Sequence, residues 1–126
     1  MKIDRQKVYE RYNGRCAYCG DKIAIARMQV DHFWPKNLAY LKPDIDMDGY
    51  DNLMPACQPC NIHKHAMVPE LYRRELARTV AMLMKTAQFK RALKFKQITI
   101  ISEPIVFYYE QFVKPELPET NEDLWF

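Results

Sequence analysis

At 126 residues and 48% hydrophobic, the chain is sized for one domain that buries roughly two-thirds of the surface its unfolded form exposes. No run approaches the ~18 apolar residues that span a bilayer, and the N-terminal Met-Lys-Ile-Asp-Arg-Gln is followed by no apolar signal-type stretch, so a soluble, intracellular protein without membrane association is expected. The net charge of +3 is uneven: residues 1–60 carry +1, residues 61–102 carry nine basic against two acidic groups, and residues 103–126 carry one basic against six acidic, a pattern suited to a polyanionic partner at the middle of the chain.

In chain order, Asp4 is a candidate N-cap for a short helix with Val8 and Tyr12 on one face, stopped by Asn13-Gly14. The knuckle Cys16-Ala-Tyr-Cys19 follows. Met28 to Trp34 reads as a strand ended by Pro35. Residues 35–51 read as loop; within them Asp44-x-Asp46-x-Asp48-Gly49 resembles the start of a calcium loop, but the twelfth position is Pro55 where a bidentate Glu is needed, so a turn is expected. The knuckle Cys57-Gln-Pro-Cys60 should feed a short helix from Cys60 to Ala66.

A longer basic helix is predicted from near Pro69, which a first turn tolerates, to about Leu93. Tyr72, Leu76, Val80 and Leu83 mark one face of it, a stripe for a core or an oligomer surface. Gln97 to Ile101 has a strand's composition, and Ile105 to Phe112, after Pro104, reads as strand or helix, with strand favoured. Pro115 and Pro118 lead into an acidic, flexible tail over 115–126, suited to a protein partner or to the chain's own basic face.

All four cysteines lie in the two Cys-x-x-Cys pairs, separated by 37 residues, more than the about 15–20 of a zinc ribbon. In a reducing compartment such pairs read as metal ligands; a redox pair or disulfides are the alternatives. Four thiolates suit a closed, tetrahedral structural Zn²⁺ with no position left for substrate.

Between the pairs stands Asp31-His32, and Asn61 follows the last cysteine directly. Neutral imidazole accepts a proton near pH 7, so His32 is a candidate general base. Asp31 and Asn61 together offer a carboxylate and an amide oxygen, a set suited to Mg²⁺ or Mn²⁺. Successive strand residues face opposite ways, so a local twist or bend is needed to bring Asp31 and His32 to one substrate.

Cys16-Ala-Tyr-Cys19-Gly20, Val30-Asp31-His32-Phe33-Trp34-Pro35 and Asp51-Asn52-Leu53-Met54-Pro55-Ala56-Cys57-Gln58-Pro59-Cys60-Asn61-Ile62-His63-Lys64 resemble the HNH endonuclease family, small stand-alone members of phages and mobile elements in particular. The resemblance implies an α+β fold: a small ββα-metal (His-Me finger) core with a structural zinc held by the four cysteines, flanked by helices and a C-terminal β segment. One nuclease domain is expected over 1–114, with the resembling core at 16–66 and the basic helix, read from its own pattern, at about 69–93. By the same resemblance His32 is the general base, Asp31 and Asn61 hold the catalytic cation, Asn52 orients the His32 ring and Lys64 contacts phosphate.

The third letter of the family name is Asn61 here instead of His; members with Asn there resemble active enzymes, which implies a shift of metal preference. His65, four residues beyond Asn61, stands where colicin-type DNases carry a third metal-binding His; a phosphate contact or a surface position is its plainer reading. His63 reads as surface or DNA-facing. Arg73, Arg74 and Arg78 of the basic helix are candidate DNA-backbone contacts, conferring affinity without sequence information, against a merely solvated helix face. The activity implied is divalent-metal-dependent hydrolysis of DNA phosphodiesters, in the cytoplasm of a bacterium or phage-infected cell. The competing reading is a catalytically silent, zinc-stabilised nucleic-acid or protein adaptor.

Overall fold

Asp4 caps the first helix as its side chain predicts. Its carboxylate accepts from the Lys7 amide at the start of α1 (Arg5–Glu10), and the chain leaves that helix through Asn13 and Gly14, both at positive φ. These features belong to a computed structural model that describes residues 3–101 and 103–112; the acidic stretch 115–126 lies outside them. The described chain divides into two compact units, one built from residues up to Tyr72 together with residues from Val106 onward, the other from Arg73 to Ile105.

The first unit holds the core. Strands β1 (Gln29–His32) and β2 (Leu53–Ala56) pair antiparallel, with Asp31 opposite Met54 and His32 opposite Leu53. Helix α2 (Gln58–Lys64) follows β2 after Cys57, with Pro59 in its first turn, where the missing N–H is not needed. This two-strand-plus-helix arrangement is the small α+β core expected. Val8 on α1, Met28 and Leu53 form one buried cluster, and Arg11 ties the end of α1 to the sheet by donating to the Tyr50 and Leu53 carbonyls at 2.9 and 3.0 Å.

A second, aromatic cluster sits on the first knuckle. Tyr18, Tyr72, Phe107 and Tyr109 meet with ring centroids 5.3 to 6.0 Å apart, Tyr18 edge-on to the other three. The backbone supports the same junction, since Tyr108 and Tyr109 donate to the carbonyls of Tyr18 and Ala17. Residues Tyr108–Gln111 therefore form a 3-10 turn, where a strand was expected. The aromatic residues of this stretch pack on the knuckle.

The second unit corrects the long-helix expectation. Three short helices occupy the stretch: α3 (Pro69–Ala77), which begins in the first unit, α4 (Thr79–Leu83) and α5 (Ala87–Lys94). Thr86 starts α5 afresh, its hydroxyl accepting from the Phe89 amide, a capping role that competes with continuing a helix through it. The predicted apolar stripe is split accordingly: Tyr72 is buried in the first unit, while Val80 and Leu83 are exposed. Gln97–Ile101 forms no strand, and Ile100 and Ile101 are exposed. β propensity without a partner edge does not make a strand. Among the described residues no helix is long and apolar enough to cross a membrane.

Candidate active site

The two knuckles converge. The Sγ atoms of Cys16, Cys19, Cys57 and Cys60 all lie within 4.8 Å of one another, with Cys19 and Cys57 at 3.8 Å. The sheet brings them together: β2 delivers Cys57, and the Ala17 amide donates to the Pro55 carbonyl at 2.8 Å, pinning the first knuckle to that strand. Amides of Tyr18 and Asp21 point at the sulfurs of Cys16 and Cys19, as they do around a thiolate. The Cys16 thiol is lowered to about 5, chiefly by its hydrogen bond with Cys60, while burial pushes Cys19 up to about 12. Four sulfurs at this spacing can hold a metal ion.

A cleft of about 270 Å³ is lined by Val30, Asp31, His32, Pro35, Lys36, Asn37, Asn61, His65 and Ala66. Four of the residues singled out by sequence therefore share one cavity: Asp31 and His32 from the end of β1, Asn61 from α2 and His65 from its C-terminus. The requirement that strand neighbours reach the same space is met. Asp31 is buried beneath the cleft and His32 is half-buried at its wall. His65 caps α2 at φ 49°, its amide still bonded to the Asn61 carbonyl at 3.0 Å. The left-handed turn, unusual for a side chain other than Gly or Asn, ends the helix where the imidazole borders the cleft.

Asp31 does not stand alone. The fully buried Lys64 ammonium lies 3.0 Å from Oδ2 and 3.3 Å from Oδ1, and also donates to the His32 carbonyl at 3.0 Å. The Tyr18 hydroxyl donates to Oδ2 as well. Lys64, expected at phosphate, is thus a correction: the last turn of α2 aims it inward, under β1, because an anion is buried there. Burial raises the Asp31 carboxyl and lowers the Lys64 amine, each opposed by the other's charge. Burial also raises Tyr18 well above an ordinary phenol, so it stays a donor.

His32 is held from the loop side. Its Nε2 lies 2.8 Å from Asp48 Oδ1, and the Lys36 ammonium lies 3.3 Å from the same oxygen. These two partners hold the Asp48 carboxyl below the usual carboxylate range, His32 first. Asn52 is almost fully buried, and its amide closes the loop: Oδ1 accepts from the Trp34 amide at 2.7 Å, and Nδ2 donates to the carbonyls of Trp34 and Met47 at 3.1 and 2.9 Å. Asn52 thereby sets the backbone on either side of the cleft wall, while the ring itself is bonded by Asp48. Trp34 is buried, as a core residue should be.

His63 is exposed, with its ring edge-on to Tyr72 at 5.3 Å. Arg73, Arg74 and Arg78 belong to the second unit, where Arg78 pairs with Glu75 at 3.3 Å. A further depression of about 460 Å³ beside the cysteine cluster is lined by Lys22, Arg27, Gln29 and Gln58, among others. Sequence reading missed Tyr18, Asp48 and Lys36. Asp48 sat inside a stretch read as a turn, and only the spacing back from Asn52 could have marked it. No curated protein matches the chain. Residues 16–67 match the model of the HNH endonuclease family, the family that the Asp31-His32, Asn52 and Asn61 motifs resemble, and this match points to a nuclease-type function.

Proposed function

We propose that the protein is a divalent-metal-dependent endonuclease that hydrolyses DNA phosphodiester bonds, with a separate structural zinc. The observation that carries this reading is the one cleft shared by Asp31, His32, Asn61 and His65, none of them a cysteine, while four clustered cysteines elsewhere can hold a structural metal.

The donor sets fit two different ions. Four thiolates suit Zn²⁺ and leave it closed. A carboxylate, an amide oxygen and, at the helix end, an imidazole suit Mg²⁺ or Mn²⁺ with waters retained. Asp31 keeps capacity for such a role, since Oδ1 receives only the 3.3 Å bond from Lys64 and a carboxylate oxygen has two lone pairs. A cation bound there would polarise the phosphoryl oxygen and offset charge on the leaving group.

The chain's own residues do the rest. His32 takes a proton from the attacking water. Asp31 and Asn61 would hold the cation, with His65 as a further ligand or a phosphate contact. Lys36 and Asn37 border the same opening and present a cation and an amide to the substrate strand. Lys22 and Arg27, with Arg73, Arg74, Arg78 and His63, supply contacts to the DNA backbone, where affinity is salt-dependent and sequence-neutral.

The test is plasmid nicking in Mg²⁺ or Mn²⁺ by the wild type and by His32→Ala. The reading expects wild-type cleavage and a loss of about 10²-fold or more in the variant. Equal cutting by both proteins refutes it, and no cutting by either favours the silent zinc-stabilised adaptor.

A further inference from the structure

The loop that joins β1 to β2 carries a carboxylate that the motifs do not include, and it meets the imidazole on which the proposed reaction depends. We infer that Asp48 is a positioning residue for His32, forming with it a carboxylate–imidazole dyad that leaves Nδ1 as the nitrogen that accepts the proton from water. The inference rests on the nuclease reading above and adds to it the residue that fixes the base.

Hydrogen-bond chemistry supplies the first argument. His32 Nε2 and Asp48 Oδ1 are 2.8 Å apart, and an ionised carboxylate can only accept. The proton between them therefore belongs to Nε2, and in a neutral ring the lone pair then lies on Nδ1. This is the tautomer selection that an orienting carboxylate performs in other histidine-based sites. When the imidazole takes a proton from water, Asp48 faces the resulting positive ring and stabilises it.

The architecture around Asp48 gives the second argument. Lys36, on the cleft rim, donates to the same Oδ1 at 3.3 Å, so the carboxylate is gripped from two sides and its charge is partly balanced. The turn that presents it is closed by the Gly49 amide on the Asp46 carbonyl at 2.9 Å. A Cβ at Gly49 would lie 3.1 Å from that carbonyl oxygen, so the tight approach requires glycine or a shift of the turn. Asn52 then bridges Met47, adjacent to Asp48, and Trp34, two residues beyond His32. One buried amide thereby fixes the separation of the two backbones that carry the dyad.

The alternative is an ordinary surface ion pair, since the Asp48 side chain is 40% exposed and such pairs are worth little. The two readings part on measurable grounds. The experiment uses zinc-loaded full chain as wild type, Asp48→Ala and Asp48→Glu, with melting curves to establish that each is folded. Nicking rates are taken in Mg²⁺, and the imidazole N–H region is recorded by ¹H–¹⁵N NMR without substrate.

The dyad predicts a downfield His32 Nε2–H signal in the wild type that Asp48→Ala loses. It also predicts a kcat reduced about 10- to 100-fold in that variant with KM little changed, and partial recovery in Asp48→Glu. A wild type that cuts, with Asp48→Ala equally fast and its Nε2–H signal unaltered, overturns the dyad alone. A wild type that cuts nothing overturns the nuclease reading itself. If Asp48→Ala melts early, Lys36→Met provides the second variant: the dyad predicts that its Nε2–H signal persists, because the carboxylate still accepts, and disappearance of that signal overturns the assignment.

Discussion

Replacing Lys64 with Met isolates the buried charge pair beneath the cleft. The substitution keeps an unbranched stem in the same space but removes an ammonium that has no exposure and lies 3.0 and 3.3 Å from the two Asp31 oxygens. Asp31, 5% exposed, is left with the Tyr18 hydroxyl as its side-chain donor. Stripping one partner from a buried ion pair costs about 3–5 kcal/mol, because the other charge stays desolvated. With a urea slope of about 1.5–2 kcal/mol/M for a domain of this size, the midpoint should fall by about 2 M.

The pair itself is a poor stabiliser. Burial raises the Asp31 carboxyl and lowers the Lys64 amine, so both groups oppose the charge they carry. Asp31→Asn/Lys64→Met should accordingly lose much less than the sum of the single variants, with the difference appearing as a coupling energy. The pH dependence has a definite sign. A carboxyl whose folded pKa is raised favours the native state below its unfolded pKa, and that contribution is lost as pH rises through the folded value. Removing Lys64 raises Asp31 further, so the Lys64→Met penalty is full at neutral pH and shrinks as pH falls toward the ordinary carboxylate range. Urea titrations of the zinc-loaded proteins at two pH values measure this. A single-variant loss under about 1 kcal/mol, or strict additivity in the double variant, refutes the buried-pair reasoning.

Two further predictions concern the supporting parts. Cys16→Ser or Cys57→Ser should abolish cooperative folding of the first unit, since a structural zinc contributes on the order of 10 kcal/mol or more; circular dichroism melts with and without a chelator check it, and an unchanged sharp transition after chelation counts against it. Asn52→Ala removes three backbone-directed hydrogen bonds and leaves buried partners behind, which should cost about 2–4 kcal/mol and slow any cleavage through misplacement of His32; a stability loss near zero would show that the loop is held by other contacts.

The finger was legible because its signals are local. Cys-x-x-Cys pairs, the Asp4 cap and the Asn13-Gly14 stop each act within a few residues, and each corresponds to an observed feature; the strand expected up to Trp34 ends earlier, at His32. The grouping of Asp31 and His32 with Asn61 and His65, on segments far apart in the chain, came from the family resemblance, and the four line one cleft. What escaped the sequence depends on partners distant along the chain. Lys64 turns inward because Asp31 is buried 33 residues away. Gln97–Ile101 lacks a neighbouring edge, so its β composition decides nothing. The long helix breaks at Thr86 because a hydroxyl cap competes with helix continuation, and residues 105–112, where strand was favoured over helix, pack as aromatics on Tyr18.

Anomalous diffraction from crystals grown with Zn²⁺ and soaked in Mn²⁺ tests the central claim most directly, because the two absorption edges identify the two ions separately. The expected result is zinc among Cys16, Cys19, Cys57 and Cys60, and manganese in the cleft with Asp31 and Asn61 as ligands beside His32. Manganese absent from the cleft at saturating concentration, or zinc filling both places, would contradict a division between a structural ion and a catalytic one.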